Sequence, residues 1–292
     1  TSTGVTQIND SKTYAVDITK NTVQDISFQA ANGQRPYLRL VSDLVFNTGP
    51  IIKNSKLNLD GLWLGCDGAQ RDVVLSGDYE CVVIRHCTFD PGGDTDIAGN
   101  PILPVRLVIR GAVEKLMIES SILGPILTEN AGIVTELFVN DSIIQSVDNT
   151  IAALNLSSGT AELNRVTLFG NANLHRLYAS ETLASGIMTV QDTQNGCFRF
   201  SAGVEGSRLP RPYESFLFPN DTPHWFTSRR FGQPGYGQLS EAAPFAIQRG
   251  AENRSEIGAF STLINPIKQD SLRVKVEEYM PFGLVPIFIN ET

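Results

Sequence analysis

The eight residues Leu116-Met-Ile118-Glu-Ser-Ser121-Ile-Leu123 decide the fold of this chain. Apolar or small residues alternate with others on both sides of a polar pair, Glu119-Ser120. The stretch therefore predicts two short strands joined by a tight polar corner, with every second side chain facing a core. The same register returns in five other segments, which begin at Leu57, Val82, Leu137, Ala161 and Leu177.

The spacing of these segments indicates a solenoid. Successive segments begin 25, 34, 21, 24 and 16 residues apart, which is too short for strand-helix-strand units and suits one coil of a repeat. A third strand precedes several segments, and Gly77 and Gly111 fall at the same offset, where a turn would need a positive φ. Three strands in each of six coils predict an all-β chain, a right-handed parallel β-helix with an irregular, β-containing C-terminal extension.

A specific core follows from this register. The third apolar position of each segment should form one inward ladder along the rod, with each member about 5 Å from the next. Its predicted members are Leu59, Ile84, Ile118, Val139, Leu163 and Ala179.

Three regions are predicted. Residues 1–200 form the β-helix, with strands around 14–18 and 26–28 as an N-terminal cap and with 91–101 as a protruding loop. Residues 201–245 are dense in Pro, Gly and Arg and form an extended arm. Residues 246–292 form a small β-rich unit. Because the arm's aromatic side chains need burial, we expect the arm to run back along the rod, with its arginines meeting acidic corners.

Composition excludes some function classes. The net charge of −8 argues against a nucleic-acid partner, and no apolar run approaches the roughly 20 residues of a membrane span. The four cysteines contain no CxxC pair, so we expect buried free thiols rather than zinc ligands. Targeting stays open, because cytoplasmic assembly into a particle and an extracellular location both fit.

Two sets of acidic residues are candidates for a catalytic or a metal-binding site. Glu119 and Asp141 lie at corners of adjacent coils, where a pair of carboxylates would suit glycoside cleavage; a solvated polar corner is the preferred interpretation. Asp90, Asp94 and Asp96 supply oxygen ligands of the kind that calcium takes. They lack the spacing of an EF-hand, and a plain turn-rich loop is preferred, so we expect no metal and no cofactor.

Histidine and aromatic residues offer two weaker candidates. The neighbours His86 and Cys87 invite the idea of a thiol nucleophile, but the register turns Cys87 inward and leaves His86 at the corner. Trp63 and Tyr178 are the outward residues best suited to a sugar platform, although four coils separate them.

A family resemblance adds to this interpretation. The strings that carry it include Val83-Ile-Arg-His-Cys-Thr-Phe-Asp-Pro-Gly92, Gly196-Cys-Phe-Arg-Phe-Ser201, Ser228-Arg-Arg-Phe-Gly-Gln-Pro-Gly-Tyr236 and Gly250-Ala-Glu-Asn-Arg-Ser-Glu-Ile-Gly-Ala-Phe260. Together they resemble a group of bacterial proteins associated with phage-tail-like contractile injection systems, from about residue 33 to the C-terminus.

The resemblance implies a non-enzymatic structural or attachment component of such a particle. Its partners would be other particle proteins or a cell-surface receptor, and it could be an oligomer. The alternative is a carbohydrate-active or glycan-binding β-helix protein of the polysaccharide lyase or hydrolase kind. The alternative would require two close carboxylates and exposed aromatics along one groove.

Overall fold

The structure is a computed structural model that describes residues 2–21, 23–49, 53–66, 68–95, 99–219, 223–281 and 283–285. Twenty-six strands are present in these ranges. The first four coils contain β1 Ser2–Ile8, β2 Thr13–Val16, β3 Thr19–Asn21, β4 Val23–Ala30, β5 Tyr37–Leu40, β6 Leu44–Asn47, β7 Ser55–Asp60, β8 Trp63–Cys66, β9 Arg71–Ser76, β10 Asp78–Arg85, β11 Thr88–Phe89 and β12 Val105–Ile109.

The later coils repeat this order. Their strands are β13 Ala112–Glu119, β14 Ile122–Leu123, β15 Ile126–Thr128, β16 Ile133–Gln145, β17 Leu154–Asn155, β18 Thr160–Phe169, β19 Ala172–Leu174, β20 Arg176–Ser180, β21 Leu183–Ala184, β22 Met188–Val190, β23 Gly196–Arg199, β24 Ala202–Val204, β25 Pro212–Tyr213 and β26 Phe216–Phe218.

Every strand pairs in parallel with the equivalent strand of a neighbouring coil, so the predicted parallel β-helix is confirmed. The first and second strands of each coil share one 18-stranded sheet, because β16 and β18 run unbroken through the corner. The third strands form a separate 8-stranded sheet. Three strands per coil are thus present, as predicted, and the third strand recurs in eight coils rather than six.

The inward ladder is confirmed. In each case the partner in the next coil is the predicted one, from Leu59 opposite Ile84 to Leu163 opposite Ala179, and Phe198 continues the ladder. All these side chains are buried. Because the side-chain period of a strand is two, one inward residue fixes the face of all its neighbours.

The corners have one backbone conformation in common. The residue after the first strand has a φ between 47° and 72° at eight successive corners, which is the left-handed region that Gly, Asn and Asp tolerate best. These residues are Gly61, His86, Ser120, Asp141, Arg165, Glu181, Phe200 and Glu214. The predicted polar pairs are therefore αL corners.

Buried hydroxyl groups stabilise the corners. The Oγ of Ser121 accepts the N–H of Cys87 at 3.1 Å and donates to the carbonyl of Glu119 at 2.7 Å. Ser142 does the same for the next coil, and accepts the N–H of Ser121 at 3.0 Å. Each hydroxyl thus satisfies two backbone groups that the turn would leave unpaired in the core.

The two glycines at one offset have different roles. Gly77 has the predicted positive φ, 113°. Gly111 does not need one. A Cβ at Gly111 would lie 2.1 Å from the carbonyl oxygen of Gly77, so this position requires a close approach of two backbones rather than a special turn.

Both predicted ends of the β-helix are wrong. The N-terminal strands are not a cap but the first coils, because β1 pairs with β4 and β4 with β7. Pairing also continues past residue 200, where β25 pairs with β23 and β26 with β24 up to Phe218. Pro212 is tolerated because it is the first residue of its strand, one of the positions in a sheet that suit proline.

The segment from Pro223 contains helices, and the β-rich unit predicted for residues 246–292 is not present in their described part. Its regular elements are the short helix α1 Phe245–Gln248, the long helix α2 Asn265–Tyr279, and two 3-10 helices, Pro223–Trp225 and Ser261–Leu263. We call 223–285 the extension; the prediction for residues 286–289 lies outside the described residues. None of the described helices is long and apolar enough to cross a membrane.

The extension covers one side of the β-helix, as expected for the arm. A second apolar cluster joins outward residues of the second strands to buried residues of the extension. The strands contribute Ile143, Phe169, Leu183, Ala202, Val204 and Phe218, and the extension contributes Phe226, Tyr236, Ile247, Ile257 and Ala259.

Candidate functional site

The two acidic residues of the predicted pair, Glu119 and Asp141, are each engaged by an arginine. Glu119 lies opposite Asn140, not Asp141, in the sheet, and its Oε2 is 2.7 Å from the Nε of Arg85. Asp141 makes a bidentate pair with Arg165, at 2.6 and 3.0 Å. The register thus places neither acid opposite the other, and each is held as part of an ion pair between coils.

The loop between β11 and β12 does not gather its acidic residues into one site. Asp90 is buried and accepts the N–H of Gly92 at 2.9 Å, and burial raises the pKa of its carboxyl. Asp94 accepts the N–H of Thr95, while Asp96 lies outside the described residues. Within the described ranges no three His, Cys, Asp or Glu side chains are grouped as metal ligands. The loop leaves the coils on either side in register.

His86 and Cys87 diverge as predicted. The imidazole Nδ1 of His86 lies 3.0 Å from the carboxylate of Asp60 at the exposed corner. Cys87 is buried in the core, where burial raises the pKa of its thiol to about 12, so it is an unreactive thiol at neutral pH. All four cysteines are free, and Cys87 alone is fully buried while the other three are half-buried.

Trp63 and Tyr178 do not form one platform. Trp63 is on a second strand and packs between the rings of Tyr37 and Phe231, at 5.4 and 6.1 Å between centroids. Tyr178 is on a first strand, β20, and is 42% exposed. The two rings therefore lie on different faces of the β-helix, and the extension already contacts the first of them.

The best-built polar arrangement is the seam between the extension and the second strands. Glu181, at an αL corner, accepts the N–H of Glu252 at 3.2 Å and the hydroxyl of Ser261 at 2.9 Å. The hydroxyl of Thr167 accepts the N–H of Ala259 at 3.0 Å. Buried groups with such partners fix the register of one surface on another.

Arg229 reinforces this seam. Its guanidinium lies 4.9 Å from the ring centre of Phe169 and 5.8 Å from that of Phe226, and it donates to the hydroxyl of Ser185 at 3.1 Å. Burial lowers the pKa of Arg229, yet an arginine remains charged at neutral pH. We expected the arginines of the arm to pair with acidic corners. In the seam, Arg229 instead stacks on aromatic rings, and Glu181 binds uncharged donors.

The first coils of the β-helix contain a cavity of about 550 Å³. Its lining is mostly apolar and includes Ile8, Val16, Phe28 and Leu38, while Gln7 is among its polar residues. Among the described residues, no strand pairs with the outer edge of β1. We call this edge and the cavity together the open end.

Sequence reasoning missed the seam and the open end. The outward column Ile122, Ile143 and Leu183 on the second strands was a signal for the seam, because apolar residues on the outside of a coil need a cover. The open end had no such signal, since its residues were assigned to a cap.

Comparison with protein families and with curated proteins adds no relative. No protein-family model matches this chain, and no curated protein matches it.

Proposed function

We propose that this chain is a non-enzymatic structural or attachment component of a phage-tail-like, contractile-injection-type particle. The observation that carries the proposal is a continuously paired β-helix whose first described coils contain an apolar cavity beside an edge strand, β1. The paired coils form a stiff body. At the open end, the unpaired edge of β1 lies beside the apolar cavity, and a strand of a partner protein would pair with such an edge.

The side chains fit a structural role. The acidic corner residues Glu119 and Asp141 stabilise neighbouring coils through arginines, and the outward tryptophan is packed against the extension. The resemblance of the sequence to proteins of contractile injection systems supports the same role. A neighbouring particle protein would then bind at the first coil, with its own strand alongside β1 and apolar side chains in the cavity.

Co-sedimentation tests this proposal. Particles are isolated on a density gradient from the bacterium that encodes the chain, and the protein is followed by antibody. We expect it to sediment with the particles, and we expect Val5→Lys to release it, because Val5 on β1 is 66% exposed at the open end. Tyr213→Lys, at an exposed position near the opposite end, is the matched control and should stay bound.

Two outcomes would count against the proposal. Wild-type protein that never sediments with particles contradicts membership of the particle. Product release from a polysaccharide panel that is lost in Glu119→Gln or Asp141→Asn would favour the carbohydrate-active alternative.

A further inference from the structure

A second cavity lies within the extension, between α2 and the segment that contains α1. Its volume is about 550 Å³, and unlike the open end it has a polar lining. Its charged lining residues are Glu241, Arg249, Glu256, Lys268, Asp270 and Arg273. Amides and a hydroxyl complete the wall, including those of Gln238, Ser240, Gln248 and Asn265.

Four of the six charged residues neutralise each other. Arg249 pairs with Asp270, and Arg273 pairs with Glu241 at 3.1 Å. Both pairs connect α2 to the body of the extension across the cavity. Because both pairs are partly exposed, each contributes little to stability.

The remaining acid is buried and makes no ion pair with any residue that the structure describes. Glu256 is 5% exposed, and its described partner is the amide of Asn265, which donates to Oε1 at 2.9 Å. Burial raises the pKa of this carboxyl to about 7. A buried carboxylate normally has a cation or several donors beside it, and this one borders a cavity large enough to admit a molecule that supplies the cation.

The remaining charged residue is a lysine on α2. Lys268 of α2 lines the same cavity and makes no ion pair with any described residue. Glu256 lines the cavity from outside α2 and Lys268 lines it from α2, and the amide of Asn265, also on α2, contacts Glu256.

We propose that this cavity binds a small zwitterion of the polar amino-acid class. The ammonium group of the ligand would pair with Glu256, its carboxylate with Lys268, and its polar side chain with the amides. Charge-assisted hydrogen bonds in a secluded site supply both affinity and orientation. α2 forms one wall of this site. This inference is independent of the particle role.

Calorimetric titration of the full chain at pH 8 tests the proposal with three related probes. L-glutamine carries both charged groups, γ-aminobutyramide lacks the carboxylate, and glutaramate lacks the ammonium group. We expect saturable binding of L-glutamine, and at least about tenfold weaker binding of each of the other two, because each loses one charge-assisted contact.

Variants separate binding from folding. Glu256→Gln keeps the shape of the side chain and should weaken L-glutamine binding at least about tenfold, while Lys268→Gln should weaken it less because Lys268 is exposed. Glu252→Gln and Lys275→Gln are the controls, since neither residue lines the cavity. Wild-type binding should also strengthen from pH 6 to pH 8, as Glu256 ionises.

Three results would overturn the proposal. L-glutamine that produces no saturable heat at either pH contradicts the proposal. So does equal affinity for the three probes, or a folded Glu256→Gln protein, by circular dichroism, that binds as tightly as wild type.

Discussion

The first and second strands of each coil are built by one pattern, yet their outer faces differ. On the second strands the outward column contains Ile143, Thr167 and Leu183, all buried under the extension. On the first strands the corresponding column contains Phe138, Glu162 and Tyr178, which are half-buried or exposed. Inward residues make the coil, but the outward residues decide whether a face is covered. The covered face and the open face, so defined, can be compared by experiment.

The largest effect should come from removal of the cover. A chain that ends at Pro219 keeps all the strands but exposes Phe169, Leu183 and Phe218 to water. We expect a marked fall in melting temperature and self-association, because an apolar patch of this kind is rarely left open in a soluble monomer. Scattering-coupled size exclusion and a thermal melt measure both. A truncated chain that stays monomeric with an unchanged melting temperature would show that the two faces do not differ in energy.

Single aromatic residues sharpen the comparison. Phe169 is 0% exposed and contacts Phe226 with ring centres 4.8 Å apart, so Phe169→Ala should lower the free energy of unfolding by about 3–5 kcal/mol. Phe138→Ala is the control on the open face, and should cost far less. Denaturant titration gives both values. Equal losses would contradict the assignment of the faces.

The free energy of unfolding should also depend on pH, because of a buried acid in the extension. Burial raises the pKa of Glu256 from 4.5 to about 7, so the folded chain holds this proton to a higher pH than the unfolded chain. Stability is then lost as pH rises from about 5 to 8, by about 3 kcal/mol at most. The charged groups that face Glu256 across the cavity are Glu241, Arg249, Lys268, Asp270 and Arg273.

Glu256→Gln tests this pH dependence. The variant should remove most of the slope between pH 5 and 8 in thermal melts, and should be more stable than wild type at pH 8. A slope that persists unchanged would assign the effect to another group.

The smallest effect should come from the polar seam. Glu181→Ala removes the acceptor of two hydrogen bonds from the extension and should cost about 1–3 kcal/mol. Glu162→Ala, on the open face, should stay within about 0.5 kcal/mol of wild type. Hydrogen exchange of the amides of Glu252 and Gly258 is a second readout, since both contact Glu181. Protection of the Glu252 amide that survives in Glu181→Ala would mean that the seam does not depend on this carboxylate.

Local alternation explains which parts of the fold were predictable. The ladder from Leu59 to Ala179 could be predicted because strands of period two and polar corners repeat in the sequence itself. The second coil was not predicted as a coil because its corner is long, from the end of β4 at Ala30 to the start of β5 at Tyr37. The last coils were not predicted because Pro210 and Pro212 resemble the end of a strand region, although Pro212 begins a strand.

The rest depends on contacts distant in sequence. Glu119 and Asp141 were predicted near each other, but which partner neutralises each of them depends on the neighbouring coil. The helices of the extension lack a strong apolar period; α2 is exposed on most sides, so burial leaves little trace in its sequence. The seam joins residues far apart in the sequence, such as Glu181 with Glu252, 71 positions apart, and Thr167 with Ala259, 92 positions apart. No local pattern encodes that pairing.

The parallel pairing of equivalent strands also has a mechanical consequence. Backbone hydrogen bonds between coils run along the axis of the β-helix, so a push or pull along that axis is shared by the bonds of three strands at each level. A pull on one end of the polypeptide instead loads one strand at a time and unzips the coils in sequence. The same molecule should therefore transmit force well when it is gripped by its ends as a body, and poorly when it is held by its chain termini.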